Sequence, residues 1–489
     1  MTNDNYYRLL PIRFKPAGNK LLLTTEAGDF HFVSTTEFDD ILGGSLSEES
    51  KLFQDLKSKD FLATSKAELI RSIDMSSTRY RSRKRFLSDF TSLHMMVVTL
   101  RCNQRCEYCQ VSCEDDVAYK YDMKPDVARK IVDYIFMSPS SCIKIEFQGG
   151  EPLLNWETVK STIEYAELKN KSFNKNLDFV LCTNLTLIDE NKLLYLKEHN
   201  VDISTSLDGT EGIHDANRVL RTGGGTYRQF IEKLSIARDI CGHDKIGALM
   251  TTTSVSVDDL RPVVDEYIRL GFNGVFFRAL NPYGFASDND AKLGYNIDRF
   301  VDSYKKGLEY IIELNLSGKT FVEYYTLLLL TRILTPFSTG FVDLQSPSGA
   351  GISGVIYDYN GDVYPADEGR MLARMDDQKF LMGNVFTHSY SGIFEGEVLK
   401  DIVSKSCLEV MPGCSDCAYH PYCGADPVRN YLETGDVVGA RPISPFCQKH
   451  MGIFDYLFSL IEEDRRDVMD VFWSWITRLP LKEVRGEDD

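Results

Sequence analysis

The sequence predicts an α/β protein organised around a parallel sheet, with a small α+β domain before it and a cysteine-bearing domain after it. Three observations carry that expectation. Between residues 92 and 285 six apolar segments, Leu93–Leu100, Cys142–Phe147, Leu177–Cys182, Val201–Ser206, Ile246–Thr253 and Gly274–Leu280, alternate with stretches of helical period such as Pro125–Ile135 and Asp258–Leu270. Repeated βα units give a parallel sheet whose ligands sit at the carboxyl ends of the strands. Three cysteines, Cys102, Cys106 and Cys109, follow the first of these strands directly. Finally, 489 residues exceed one ordinary core, and domains of usual size divide the chain into two or three.

Composition narrows the function. Hydrophobic residues make up 43% and charged residues 26%, as in a folded chain that buries a sizeable core. The formal net charge of −17 argues against any partner held by phosphate neutralisation, so no nucleic acid is expected. The basic run Arg79–Arg85 reads as a solvated linker, with contact to an acidic peptide as the alternative. Met1-Thr-Asn-Asp-Asn-Tyr-Tyr7 lacks the basic and apolar regions of a signal peptide, and runs such as Tyr325–Thr331 are far short of a membrane span. A cytoplasmic protein without membrane attachment is expected. Twelve cysteines in a reducing compartment then point to metal or redox work, not to disulfides.

Residues 1–80 read as the N-terminal α+β domain. Lys20–Thr25 and Asp29–Ser34 form two short strands around a turn, and Thr35–Leu42 and Glu48–Lys57 are amphipathic helices, the first opened by a Ser/Thr cap. Residues 90–285 hold the βα units, 286–345 a helical bridge, 346–450 the second cysteine region, and 451–489 C-terminal packing helices and a tail.

The loop Cys102-Asn-Gln-Arg-Cys106-Glu-Tyr108-Cys109 places three thiols at one strand end. A [4Fe–4S] cluster ordinarily takes four thiolates, so three leave one iron open for a ligand. A zinc knuckle, or a disulfide pair with a spare thiol, is the bland alternative. After the second strand, Gly149 and Gly150 allow close backbone approach, and Glu151 can pair with an ammonium group. Ser206 and Asp208 end the fourth strand, where a hydroxyl and a carboxylate can reach a ligand or cap the next helix. Gly223–Tyr227 lacks the lysine of a phosphate loop and reads as a turn opening a helix. Farther on, Cys414, Cys417, Cys423 and Cys447 make a complete four-thiolate site, open to zinc or to iron–sulfur on residue types alone.

The C-x3-C-x2-C spacing with Tyr108 before its last cysteine resembles the signature of radical S-adenosylmethionine (SAM) enzymes. Gly149-Gly150-Glu151-Pro152 resembles the motif that holds the SAM amino group, and His214-Asp-Ala-Asn-Arg218 resembles the segment whose arginine clamps the SAM carboxylate. The later cysteines resemble the SPASM extension of peptide-modifying members. Residues Leu9–Phe14, Asp367–Leu372, Cys417–Gly424 and Asp426–Asn430 look closest to the maturases of His-Xaa-Ser repeat peptide systems.

This resemblance implies a partial (βα)6 TIM-type barrel holding a SAM-binding [4Fe–4S] cluster on Cys102, Cys106 and Cys109. SAM would be contacted by Tyr108, Gly149, Gly150, Glu151, Ser206, Asp208 and Arg218, and one auxiliary [4Fe–4S] cluster held by Cys414, Cys417, Cys423 and Cys447. Ser348, Ala366 and Pro427 stand where fuller members place ligands of a second auxiliary cluster, so one is expected. Cys407 stays unassigned, and Cys113, Cys142, Cys182 and Cys241 read as core or surface thiols.

The implied activity generates a 5′-deoxyadenosyl radical and modifies a ribosomally synthesised precursor peptide by crosslinking, epimerisation or oxidation. A flavodoxin or ferredoxin would supply electrons, and a second maturase is a further partner to consider. The N-terminal domain resembles the winged-helix elements that hold a leader peptide as an added strand, with simple capping of the barrel as the alternative. Two other functions stay open: a non-catalytic recognition or scaffold partner of another maturase, and a sulfatase-maturase-like oxidase of a protein side chain. No catalytic acid or base can be named.

Overall fold

Leu93–Thr99, buried on both faces from Met96 onward, becomes an interior strand of an eight-stranded sheet. The structure is a computed structural model that describes residues 7–110, 113–114 and 117–486. On one side of Leu93–Thr99 lie, in chain order and all parallel, Cys142–Gly149, Asn176–Cys182, Asp202–Ser206 and Ile246–Leu249. On its other side Gly354–Tyr357 also runs parallel, followed by the antiparallel Asp362–Tyr364 and Gly383–Asn384. The barrel strands and the start of the second cysteine region therefore share one sheet.

Side-chain alternation sets the two faces. In Cys142–Gly149, Ile143, Ile145 and Phe147 are fully buried in the main core, against Val127 and Ile131 of helix Pro125–Ile135 and Val159 and Ile163 of helix Trp156–Phe173. Each such side chain contributes about 1.5–3 kcal/mol through burial. Glu146 and Gln148 fall on the opposite face, toward the barrel interior. Helix Pro125–Ile135 starts with proline at its first position and Asp126 in its first turn, both suited to a helix N-terminus.

The sixth predicted strand is mostly absent. Only Gly274–Val275 is extended in a ladder, and it pairs with Val322–Glu323 in a separate two-stranded sheet. The buried Glu323 carboxylate takes the Phe277 N–H at 3.0 Å, so that amide does not serve a neighbouring strand. A backbone bond from Thr252 N–H to the Arg278 carbonyl, 2.8 Å, links the segment to the continuation of the fifth strand.

The N-terminal hairpin forms and gains a third strand, Ile12–Ala17, antiparallel to Lys20–Thr25. Pro16 obscures that strand in the sequence, but the strand lies at a sheet edge, where a missing amide is tolerated. Helix Thr35–Gly43 opens with a reciprocal cap: Ser34 Oγ accepts the Glu37 N–H at 3.2 Å, and the Glu37 carboxylate accepts the Ser34 N–H at 2.7 Å. Phe38, Ile41, Phe53 and Leu56 fill the small core beneath.

The basic run Arg79–Arg85 is not a solvated linker. Most of it closes helix Lys66–Arg83, and the buried Arg83 donates to the carbonyls of Ala27 (2.9 Å), Arg332 (3.0 Å) and Pro421 (3.3 Å). Carbonyls from three segments converge there, and the forked guanidinium meets them all. Lys84 pairs with Glu409, and Arg79 with Asp29 at 2.6 Å. Helices Ile297–Leu316, Tyr324–Leu334, Pro445–Glu462 and Arg466–Thr477 pack beside the barrel. Among the described residues no helix is long and apolar enough to cross a membrane. The signal-peptide reading concerns mainly residues 1–6, outside the described ones.

Replacing Arg83 by methionine strands these buried carbonyls. The expected cost is about 2–3 kcal/mol, seen as a lower unfolding midpoint and faster proteolytic release of the N-terminal unit. An unchanged midpoint contradicts the role given to Arg83.

Candidate functional site

The site begins where the second strand passes the end of the first. Gly150 N–H donates to the Thr99 carbonyl at 2.9 Å, and Glu151 N–H to that of Arg101 at 2.8 Å. A Cβ on Gly149 would stand 2.3 Å from the Thr99 oxygen, and one on Gly150 only 2.2 Å from the Arg101 oxygen. The paired glycines are thus required by backbone packing one residue ahead of Cys102. Arg101 is anchored in turn to Asp122, at 2.8 and 2.7 Å, and to the Leu154 carbonyl at 2.7 Å.

The cysteine loop is bound to the segment 217–221. Arg105 N–H donates to the Val219 carbonyl (2.8 Å), Glu107 N–H to that of Asn217 (3.0 Å), and Arg221 N–H to that of Asn103 (3.1 Å). The Arg221 side chain spans the loop: Nε donates to the Cys102 carbonyl at 2.7 Å and Nη2 to the Glu114 carbonyl at 2.6 Å. Donors also face sulfur, with Gln104 N–H 3.4 Å and Asn184 Nδ2 4.0 Å from Cys102 Sγ. Burial pushes the Cys106 thiol up to about 12. Cys113, expected as an ordinary thiol, is buried beside this set, its pKa pushed up to about 11, first by Cys102.

Asp208 is the hub. Its enclosed carboxylate accepts from Tyr108 Oη (2.9 and 2.8 Å), Arg218 Nε (3.0 Å), Asn217 Nδ2 (3.3 Å) and Thr251 N–H (3.2 Å). Arg218 Nη2 also donates to Tyr108 Oη. Asp208 therefore serves Tyr108 and Arg218 instead of standing free for a ligand. Arg218 Nη1 and the Ser206 hydroxyl have no side-chain or backbone partner among the described residues, and both remain available to a carboxylate. His214 accepts the Asp208 N–H at 3.4 Å and meets Thr226 Oγ1 at 3.1 Å, and burial lowers it to about 4, so it is a neutral support.

Glu151 is turned inward as well. Its carboxylate accepts from Leu153 N–H (3.1 Å), Thr183 Oγ1 (2.7 Å) and Asn184 N–H (2.8 Å). Burial raises its pKa to about 7, against the pull of those three donors.

The second set lies in the C-terminal region. Burial, and then Cys417, Cys447 and Cys414, raise the Cys423 thiol, but among the described residues no group of three or more Cys, His, Asp or Glu side chains is arranged to hold a metal ion. Cys447 sits in the first turn of helix Pro445–Glu462, with its N–H bound to Ser444 Oγ at 3.1 Å. Arg332 Nε and Nη2 secure the Tyr422 and Cys423 carbonyls at 2.7 and 3.4 Å. Cys407 donates instead to the Val403 carbonyl at 3.3 Å. The twelve cysteines form no disulfide.

The residue types fit an iron–sulfur cluster and SAM. Buried thiols resist ionisation unless a positive iron centre compensates, and N–H groups already face Cys102 sulfur. Sequence reasoning missed Arg221, Gln104 and Asn217: Gln104 sits within the cysteine loop and Asn217 within the His214–Arg218 segment, whereas the only local signal of Arg221 is proximity to that segment.

Residues 96–266 match the radical SAM superfamily. A cysteine-type anaerobic sulfatase-maturating enzyme of Clostridium perfringens is 25% identical over 375 residues, 73% of this chain and 93% of that enzyme. An uncharacterized protein of Methanocaldococcus jannaschii is 28% identical over 188 residues, 38% of this chain and 62% of that protein. Among solved structures, native anSMEcpe with bound AdoMet aligns with a TM-score of 0.63 at 20% identity, covering 76% of this chain and 98% of that one. Streptococcus suis SuiB bound to precursor peptide SuiA aligns at 0.53 and 12% identity, covering 90% and 100%. The parallel barrel is a radical SAM domain, within a fold shared with these enzymes.

Two stability measurements test this geometry. Asp208→Asn leaves the Arg218 guanidinium without its counter-charge, and an expected loss of about 3–5 kcal/mol is read from denaturant unfolding. Glu151 ionises near 4.5 when unfolded and near 7 when folded. The folded chain thus keeps a proton that the unfolded chain has lost, and stability falls as pH rises from 4.5 to 7, by roughly 3 kcal/mol. In Glu151→Gln that dependence is gone, so the variant gains on the wild type across the window. A constant difference between the two contradicts the assignment.

Proposed function

We propose that this radical SAM enzyme matures a ribosomally synthesised peptide, one with His-Xaa-Ser repeats. The observation that carries the reading is the Cys102–Cys109 loop, fixed at the carboxyl edge of five parallel strands by Arg221 and by the Tyr108–Asp208–Arg218 network. Cys102, Cys106 and Cys109 would hold the [4Fe–4S] cluster. Ser206 and Arg218 would take the SAM carboxylate, with Gly149, Gly150 and Glu151 shaping the backbone that receives its amino group. When bound, the pair supplies one-electron cleavage of the sulfonium and abstraction of a hydrogen atom from an unactivated carbon.

The chain's own residues orient and enclose. Tyr108, clamped by Asp208 and Arg218, fixes the loop between Cys106 and Cys109, and Asp208 and Glu151 are themselves wholly buried. Cys414, Cys417, Cys423 and Cys447 would hold one auxiliary [4Fe–4S] cluster. A flavodoxin or ferredoxin would be the electron donor. SuiB bound to its precursor peptide supports a peptide substrate. The edge strand Ile12–Ala17, with Phe14 half exposed, offers a place for a leader to add as a strand.

The second reading, oxidation of a protein side chain, is favoured by the alignment with 93% of the sulfatase-maturating enzyme. Incubation with a His-Xaa-Ser peptide and with a sulfatase-type cysteine peptide separates the two: a mass change confined to the latter selects the second.

Anaerobically reconstituted protein is expected to hold about eight irons and, once reduced with SAM, to release 5′-deoxyadenosine. Cys102→Ala should leave about four irons and no deoxyadenosine. Four irons, bound zinc and no deoxyadenosine in the wild type would favour a scaffold role instead.

A further inference from the structure

The barrel-facing side of the parallel sheet carries a carboxylate that the site described above does not use. Glu146 pairs in register with Val180 and Val180 with Asp202, and Cys182 pairs with Ser204 one layer nearer the strand ends. All five keep accessible surface, whereas Ile145, Leu181 and Ile203 on the opposite face are enclosed. Leu249, the register partner of Ser206, is 41% exposed on that same side. This side of the sheet has room for a ligand.

Glu146 Oε1 accepts from Gln148 Nε2 at 2.5 Å and from Cys182 Sγ at 3.2 Å. Burial and the adjacent carboxylate hold the Cys182 pKa well above its ordinary value, so the sulfur keeps its proton and donates. Both partners are therefore neutral. Glu146 Oε2 has no hydrogen-bond partner, and the carboxylate no ion pair, among the described residues. Asp208 and Glu151 are spent on the protein's own donors, whereas Glu146 has an oxygen and some surface left to offer.

A carboxylate inside a barrel, oriented by neutral donors, is completed by a cation or an N–H group that a ligand brings. Its bonds to Gln148 and Cys182 draw its head into the Cys182 layer, and one two-residue step, about 7 Å, separates that layer from Ser206. A side chain whose N–H end rests on Glu146 thus lies below the residues proposed to hold SAM.

We propose that Glu146 is a specificity-determining residue that receives the imidazole of a substrate histidine, with Gln148 and Cys182 fixing the carboxylate. The inference rests on the His-Xaa-Ser reading given above and adds which side chain enters the barrel. Glu146 makes and breaks no bond; it selects and orients.

The test is fluorescence anisotropy of a labelled peptide carrying a His-Xaa-Ser repeat, and of the same peptide with alanine for histidine, on anaerobically reconstituted full-length protein saturated with SAM. Wild type should bind the histidine peptide about tenfold more tightly, and Glu146→Gln should bind the two alike. Glu146→Asp keeps the charge but withdraws it by one methylene, and its preference should fall between. A glutamine variant that keeps the wild-type preference overturns the proposal, including one that binds both peptides, or SAM, more weakly. If the glutamine variant does not load iron, the aspartate variant decides: a preference equal to that of wild type overturns the proposal. A wild type that binds both peptides alike defeats this inference and leaves the peptide reading standing, whereas one that binds neither defeats that reading and the inference with it.

Discussion

Everything at the strand ends leans on one enclosed carboxylate. Asp208 gathers Tyr108 from the cysteine loop, Asn217 and Arg218 from the helix that follows its own strand, and the Thr251 amide beyond the fifth strand. A carboxylate without water is tolerable only with full hydrogen bonding and a paired charge, and here both are present. Arg218 also donates to Tyr108, and Asn217 also accepts from Thr253 Oγ1, so the loop, the helix end and two strand ends hold one another in place. Tyr108 gains a fixed hydroxyl, and Arg218 is held while one terminal nitrogen is left over.

The parts visible in the sequence are those written in local spacing. Period-two and helical-period runs give five strands and their helices, and the cysteine spacings give both thiol sets. Side chains whose meaning depends on distant partners stay hidden. Arg83 sits in a basic run that looks solvated until the Arg332 and Pro421 carbonyls arrive from about 250 and 340 residues away. Arg221 resembles any loop arginine until Cys102 and Glu114 flank it. The Gly274–Leu280 run has the residue types of a strand, but Glu323 captures one of its amides. Asp208 and Glu151 look like ligand contacts because a carboxylate after a strand reads that way, whereas burial turns both inward.

The second cysteine set depends on protein contacts around it. Arg332 ties down the carbonyls beside Cys423, Ser444 caps the turn that carries Cys447, and Thr24 Oγ1 reaches the Ala418 carbonyl at 2.9 Å from the N-terminal sheet. Tyr422 Oη donates to the Gly28 carbonyl at 3.0 Å on the same side. The N-terminal unit is therefore fastened to the loop between Cys417 and Cys423, whatever else its edge strand engages.

The pairing of Leu93–Thr99 with Gly354–Tyr357 bears on synthesis. During translation the strand that leads into the first cysteine loop is an open sheet edge until residue 357 has left the ribosome. A parallel ladder closed across about 260 residues has high contact order and forms slowly. For that interval an interior strand of the sheet presents unpaired backbone, the feature that invites pairing with another chain. Fragments ending before residue 354 would keep that edge permanently, so the isolated barrel is an aggregation hazard, and its sheet is completed only by the C-terminal region.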